Sequence, residues 1–271
     1  MKAQNDRICS ISRFCKGVEI TRDGYYKIRL RNNDKSIMKK RALELIIQRR
    51  KILPREGGRK LYRSIHNDLI TNNISIGRDK FFDLLRENKM LVRPKKNYVR
   101  TTNSFHRFRK YPNLIKNIEI TAPNQVWVSD ITYIKLTKGH CYLALITDAY
   151  SRKIVGYDIS DSLELAGCLR ALKRALRLLP AGYKLIHHSD RGIQYCSYQY
   201  TGLLKSKKIE ISMTEENHCY ENAIAERVNG ILKDEFYLDQ CFLNTLNAKK
   251  VGRSAIDLYN DERLHLSLDY I

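Results

Sequence analysis

The chain has 271 residues, with 50 Lys and Arg against 29 Asp and Glu and a net charge of +21, a length that allows one large or two modest domains. No segment approaches the roughly 18 continuous apolar residues of a membrane span, and the opening MKAQNDRICSISRFCKG lacks the apolar centre of a secretory signal, so a cytoplasmic protein is expected. Seven cysteines, odd in number and scattered without a CxxC pair, support neither a disulfide framework nor a zinc cage, and most are expected as small core residues.

The charge is segregated. Residues 1–120 hold 31 basic and 11 acidic side chains, and residues 121–271 hold 19 and 18. A basic front and a near-neutral back suggest a polyanion gripped by one region and chemistry done by the other, with nucleic acid as the leading partner. Within the front region, residues 36–53 read as a basic helix. GGRKLYRSIHNDLI and ISIGRDKFFDLLRENKML read as two more, joined by TNN, the second with Phe81, Leu84 and Leu85 at i, i+3, i+4. A helix, a short turn and another helix in a basic setting suggest a helix-turn-helix-like DNA-binding region over residues 1–91, presenting Arg78 and Lys80. Residues 92–124 read as a basic linker in which Lys95, Lys96, Arg107 and Arg109 lie among Tyr98, Phe105, Phe108 and Tyr111. Cations interleaved with aromatics suit phosphate contact with base stacking, and the same aromatics equally suit anchoring of the linker to a domain.

From residue 125 the texture changes. VWVSDITYIKL (126–136), CYLALITDAY (141–150) and RKIVGYDIS (152–160) read as a three-strand antiparallel meander. A helix over 163–179, ended by Pro180 and Gly182, precedes a short strand in YKLIHHSD, a helix near 198–207 and a strand in IEISMT. The order implies a mixed α/β layered fold. Residues 220–236, YENAIAERVNGILKDEF, form the last helix considered, with Ile224, Val228, Ile231 and Leu232 on a core-facing stripe. Asn222, Glu226, Asn229 and Lys233 share a second, polar face; by itself this reads as a solvated helix surface, or as a surface that grips one long ligand across about 10 Å.

Three carboxylates stand out. Asp130 lies inside a strand, where an acidic residue is disfavoured unless the position is functional or at an edge. Asp190 follows the apolar end of a strand, the usual place for sites in open α/β sheets, and Glu226 is the third. Carboxylates from three separate elements match what two Mg²⁺ ions require: hard oxygen ligands with vacancies for water and phosphate. Among neighbouring residues, strand parity turns His188 rather than His187 toward Asp190, although Mg²⁺ prefers oxygen. Asp148 is expected as a surface or turn aspartate, Arg191, Gly192 and Gln194 as loop-shaping, and Trp127 as core.

WVSDITYI around Asp130, HHSDRGIQY around Asp190 and ENAIAERVNGILK around Glu226, with 35 residues between the last two carboxylates, resemble the DDE transposases of bacterial insertion sequences. The match is to the second-reading-frame type, whose integrase core is similar to that of retroviral integrases. GRDKFFDLLREN and YNDERLH extend the resemblance over most of the chain. It implies an RNase H-like integrase core over residues 125–271, a mixed five-stranded sheet with flanking helices and a C-terminal helix. It also implies DNA transposition, integration and recombination by metal-dependent strand cleavage and strand transfer at element ends. Asp130, Asp190 and Glu226 would be catalytic ligands of Mg²⁺ or Mn²⁺, two ions in all, and Lys233 a DNA contact seven residues after the glutamate. Double-stranded DNA, a homo-oligomeric assembly and an upstream-frame fusion partner are the implied partners, in a bacterial, nucleoid-associated setting. His218, Cys219 and Leu264 depart from the family pattern, and the resemblance leads one to expect more chain after LSLDYI. The rival readings are a structure-specific nuclease on the same fold and a decayed transposase acting as a DNA-binding repressor.

Overall fold

The computed structural model of the chain describes residues 10–92, 107–180, 182–215 and 222–268. Its chain divides into two compact units, one of residues 1–51 and 57–91 and the other of residues 52–56 and 92–271.

The first unit is helical. Ser10 caps α1 (Ile11–Gly17) by accepting from the Arg13 amide at 3.3 Å. Helix α2 (Arg22–Ile52) begins fourteen residues before the basic helix expected at 36–53. Its early turns carry no regular apolar stripe, so periodicity gave no reason to start it there. Only Ala42 and Ile46 of α2 are buried. The single helix expected over GGRKLYRSIHNDLI is two, α3 (Gly58–Ser64) and α4 (His66–Thr71), with Ile65 breaking the run. Asn73, at φ 55°, turns the chain toward α5 (Arg78–Glu87). Ala42, Ile46, Leu61, Ile65, Leu69, Ile74, Phe81, Leu84 and Leu85 make one core, fastened by the Tyr62 hydroxyl donating to the Ile76 carbonyl at 3.1 Å.

The second unit is a five-stranded sheet in the order β3-β2-β1-β4-β5. Strands β1 (Val126–Lys135), β2 (His140–Asp148) and β3 (Ile154–Ser160) form the expected meander. Strands β4 (Ile186–Ser189) and β5 (Glu210–Met213) add in parallel on the far side of β1. One face of the sheet packs on α6 (Leu165–Leu178), the four-residue α7 (Ile193–Cys196) and α8 (Tyr198–Ser206), burying Trp127, Ile146, Leu172, Tyr195 and Tyr200. The other packs on α9 (Ala223–Glu235) and α10 (Thr245–Glu262), burying Ile134, Leu143, Val228, Leu232 and Tyr259. This is the RNase H-like arrangement: a mixed central sheet between two helical layers.

Two glycines permit the layers to close. A Cβ at Gly156 would lie 2.4 Å from the Ala171 carbonyl of α6, and one at Gly252 would lie 2.4 Å from Ile159 Cδ1. Asn260 of α10 exchanges hydrogen bonds with the backbone of Ile154, at 2.9 Å and 3.0 Å, and so continues the ladder at the β3 edge with a side-chain amide. Cys15, Cys141, Cys168 and Cys196 are buried thiols, as core use predicts, while Cys241 is exposed.

Candidate active site

Asp130 lies on β1, which is paired on both sides, antiparallel to β2 and parallel to β4. The strand is interior to the sheet, but its ladder with β4 ends at Ser129, so Asp130 sits where pairing on that side stops. The β1–β4 ladder runs in register through Ser129 beside Ser189, so the next residues of the two strands are Asp130 and Asp190. Parallel pairing brings together two acids that stand sixty positions apart in the chain.

Each carboxylate has defined partners. Asp130 Oδ1 accepts from the Ile131 amide at 2.8 Å and Oδ2 accepts from Asn229 Nδ2 at 2.7 Å. Asp190 Oδ1 accepts from the Gly192 amide at 3.0 Å. A Cβ on Gly192 would lie 2.9 Å from that same oxygen, which is why a glycine follows the second aspartate by two. Arg191 Nε donates to the Thr214 carbonyl at 2.6 Å and Gln194 Nε2 to the Leu163 carbonyl at 2.7 Å. These three residues do shape the loop, as the sequence suggested.

The charges converge. Burial, then the charge of Asp190 and more weakly that of Glu226, raise the Asp130 carboxyl to about 7 against the lowering effect of its two hydrogen bonds. Partial desolvation and the Asp190 charge likewise raise Glu226, an exposed residue on α9. Three acids from β1, the end of β4 and α9 thus share one repulsive field. As the side chains stand, no three of His, Cys, Asp and Glu among the described residues are close enough to hold one metal ion. The donor set still fits a hard divalent cation: all oxygen, mutually repelling and short of positive charge. Lys233 is half-buried with Nζ 5.5 Å from the centre of the Tyr133 ring, and burial lowers its pKa against the opposing pull of Asp130, Asp234 and Asp239.

The two histidines work within the sheet. His187 Nε2 lies 2.7 Å from Ser129 Oγ and 3.0 Å from the Tyr200 hydroxyl, and burial pushes its pKa down to about 3, so the ring is neutral. His188 Nδ1 lies 2.8 Å from Ser212 Oγ on β5. Asp148 corrects the surface reading: it is 1% exposed, and its carboxylate accepts from the Asn124 amide, the Ser151 amide and the Ser151 hydroxyl, each at 2.7 Å. The β2–β3 turn is built around it. Trp127 is fully buried, and its indole N–H donates to Asn124 Oδ1 at 3.1 Å.

The solvated-face reading of α9 is also corrected. Asn222 and Asn229 are buried at 4% and 6% exposure and bonded to β1. The signal available beforehand was their phase with Glu226, which placed all three on one face without saying what that face meets.

Among the basic residues, Lys95 and Lys96 lie outside the described residues, as do Tyr98, Phe105, His218 and Cys219. Arg78, Lys80, Arg107 and Arg109 are exposed. Arg78 pairs with its neighbour Asp79 at 3.1 Å, and the Arg109 guanidinium lies 5.2 Å from the Tyr111 ring centre. Phe108 and Tyr111 pack against the buried cluster beneath α6 and α8, with Phe108 meeting Tyr198 edge to face at 5.5 Å. Those two aromatics anchor the segment to its domain.

Fold and site together define a class, the RNase H-like integrase cores. Family models described as integrase core domain match residues 120–219 and 207–271. A Shigella sonnei protein, the insertion element IS600 uncharacterized 31 kDa protein, is 38% identical over 95% of this chain and 94% of its own length. The transposase for insertion sequence element IS904 of Lactococcus lactis is 34% identical over 80% of this chain and 85% of its own. Among solved structures, the HTLV-2 integrase catalytic core domain in complex with magnesium aligns with TM-score 0.42 and 23% identity, over 53% of this chain and 90% of that one. A chain of the simian T-cell lymphotropic virus intasome aligns with TM-score 0.47 and 20% identity, over 77% and 70%. The chain belongs to the bacterial insertion-sequence transposases with an integrase core, enzymes of DNA transposition. No described helix is long and apolar enough to cross a membrane.

Proposed function

We propose that this transposase cuts and joins DNA at the ends of its element through Asp130, Asp190 and Glu226, and that these carboxylates hold Mg²⁺ or Mn²⁺, two ions in the full reading. The observation that carries it is the in-register β1–β4 pairing that sets Asp130 beside Asp190 at the strand ends, with Glu226 of α9 near enough for the Asp190 charge to act on it. Bound there, a pair of divalent ions supplies activation of the attacking oxygen and stabilisation of the leaving oxygen in an in-line displacement at phosphorus. Asp130, held by Ile131 and Asn229, presents its remaining lone pairs to the site. Asp190, held by Gly192, does the same from the end of β4. Glu226 closes the set from α9. Lys233, on the same helix, supports binding of a DNA phosphate. In the cutting step a water oxygen bonds to phosphorus as the P–O3′ bond breaks, leaving a 3′ hydroxyl. In the joining step that hydroxyl oxygen attacks a target phosphodiester and expels a new 3′ oxygen.

The basic first unit, with Arg78 and Lys80 exposed, and the segment bearing Lys95, Lys96, Arg107 and Arg109 are the proposed surfaces for duplex DNA, with residues 1–91, 92–124 and 125–271 as the working domains. A homo-oligomer and an upstream-frame fusion partner complete the proposed assembly. The test is Mg²⁺-dependent cleavage and joining of duplexes carrying candidate element ends. Asp130→Asn, Asp190→Asn and Glu226→Gln are each expected to abolish both steps while DNA binding persists. Full activity in any one of them removes that residue from the metal site. Cleavage without joining favours the nuclease reading, and binding without either step favours the repressor.

A further inference from the structure

Asn222 is the N-cap of α9, four residues before Glu226, and Asn229 lies within the helix three residues after it, so the two amides flank the glutamate along the chain. Both reach the same point of β1. Asn222 Nδ2 donates to the Ser129 carbonyl at 3.0 Å and Asn229 Nδ2 to Asp130 Oδ2 at 2.7 Å. Both side chains are buried, and the Oδ1 of each is buried without a hydrogen-bond partner among the described residues.

That combination needs a reason. An apolar residue such as the neighbouring Leu232, 0% exposed, packs α9 against the sheet with no polar group to satisfy, whereas a buried unsatisfied acceptor costs about 1–3 kcal/mol. Asn229 Nδ2 donates to the Asp130 carboxylate, which can only accept once it is ionised, as a metal ligand must be. With Ile131 on Oδ1 and Asn229 on Oδ2, both Asp130 oxygens are oriented. The two amide bonds pin α9 to β1 on either side of Glu226, so one pair of side chains fixes the spacing between the carboxylate of a strand and that of a helix.

We infer that Asn222 and Asn229 are positioning residues: they set Glu226 against β1, and Asn229 orients Asp130 toward a divalent cation. This rests on the metal-binding reading above. Outer partners of ligating side chains typically change metal affinity by about 10–100-fold when removed.

The experiment measures Mn²⁺ affinity of the full chain by calorimetric titration, alongside the rise in Tm that Mn²⁺ confers over the metal-free protein. Asn229→Leu, which removes the donor at similar volume, is expected to weaken Mn²⁺ binding about 10–100-fold. Combined with Asp130→Asn it is expected to bind no more weakly than Asp130→Asn alone, since the amide acts through that carboxylate. Asn229→Ala serves as the smaller donor-free variant if the leucine fails to fold, with the same expectation. Wild-type Mn²⁺ affinity in a folded donor-free variant overturns the inference, even where the metal-free Tm falls, because that pattern marks a purely structural tie. Mn²⁺ binding by the wild type that survives in Asn229→Leu leaves the carboxylate reading standing and removes only this one. No Mn²⁺ binding by the wild type removes both.

Discussion

Helices α2 and α9 are written in similar language, charged and amide residues interspersed with apolar ones, and the fold uses them in opposite ways. Over 31 residues α2 buries only Ala42 and Ile46 and leaves Tyr26, Ile28, Leu30, Ile37 and Met38 exposed. In 13 residues α9 buries Ala225, Val228, Asn229, Ile231 and Leu232. The difference lies in what the polar groups have to bond. Lys27 pairs with Asp23 at 2.8 Å and Lys39 with Glu87 at 2.9 Å, all four side chains more than half exposed, and such surface pairs contribute about 0–1 kcal/mol. The amides of α9 find a carbonyl and a carboxylate on β1 and are carried into the interior. A polar helix face becomes a site when a strand supplies partners for it, and stays a surface when only water does.

On that contrast, the greatest loss is expected at the acids on α9 and on the strand ends beside it. Asp190→Asn or Glu226→Gln is expected to lower strand transfer by about 10³-fold or more, since removing metal-borne charge stabilisation forfeits several kcal/mol of barrier. A gel assay of joined products measures it, and retention of near-normal rates would place the chemistry elsewhere. Next is the core beneath the same helix: Leu232→Ala is expected to destabilise the chain by about 2–5 kcal/mol in denaturant unfolding. A loss below about 1 kcal/mol would mean α9 is not held by its apolar stripe.

A third expectation concerns pH. The folded Asp130 carboxyl is raised to about 7 from an ordinary value near 3.8, so the folded chain binds the proton more tightly than the unfolded one. This group's stabilising contribution is full below about pH 4 and is lost as pH rises through about 7. Metal-free Asp130→Asn should therefore melt above the wild type at pH 8, with the gap narrowing toward pH 4. A gap independent of pH would mean that neither burial nor the neighbouring acids disfavour the Asp130 charge.

The smallest effects belong to α2. Lys35→Gln, on its exposed face, is expected to change stability by no more than about 0.5 kcal/mol. If Lys35 contacts a phosphate, it should flatten the log–log salt dependence of DNA binding by about one. A large loss of stability would show that α2 has a buried partner and would erase the contrast with α9.

Much of this architecture was legible in the residues alone. Alternating apolar runs fixed three strands of the meander to within two residues, and the i, i+4, i+7 stripe of Ile224, Val228 and Ile231 located α9. Those periods are local properties of the backbone and survive in any fold that buries one face. The early turns of α2 were not legible because they have no apolar period, nor was the break at Ile65, which no proline or glycine marks. The burial of Asp148 also escaped: its type and place at a strand end say turn, but only the converging donors of Asn124 and Ser151 make a buried carboxylate tolerable.

The sequence by itself determined the charge division between front and back, the three-strand meander and the apolar stripe of α9, and it carried three acids whose pattern resembles the family's. Only the tertiary structure decided that β1 is interior rather than an edge, and that β4 runs parallel beside it so that Asp130 and Asp190 become neighbours. It also decided that Asn222 and Asn229 are interior ties rather than a wet surface. Those facts depend on which strand lies beside which and in what register. Pairing between segments sixty or ninety residues apart is a property of the whole chain's packing, and no local pattern carries it.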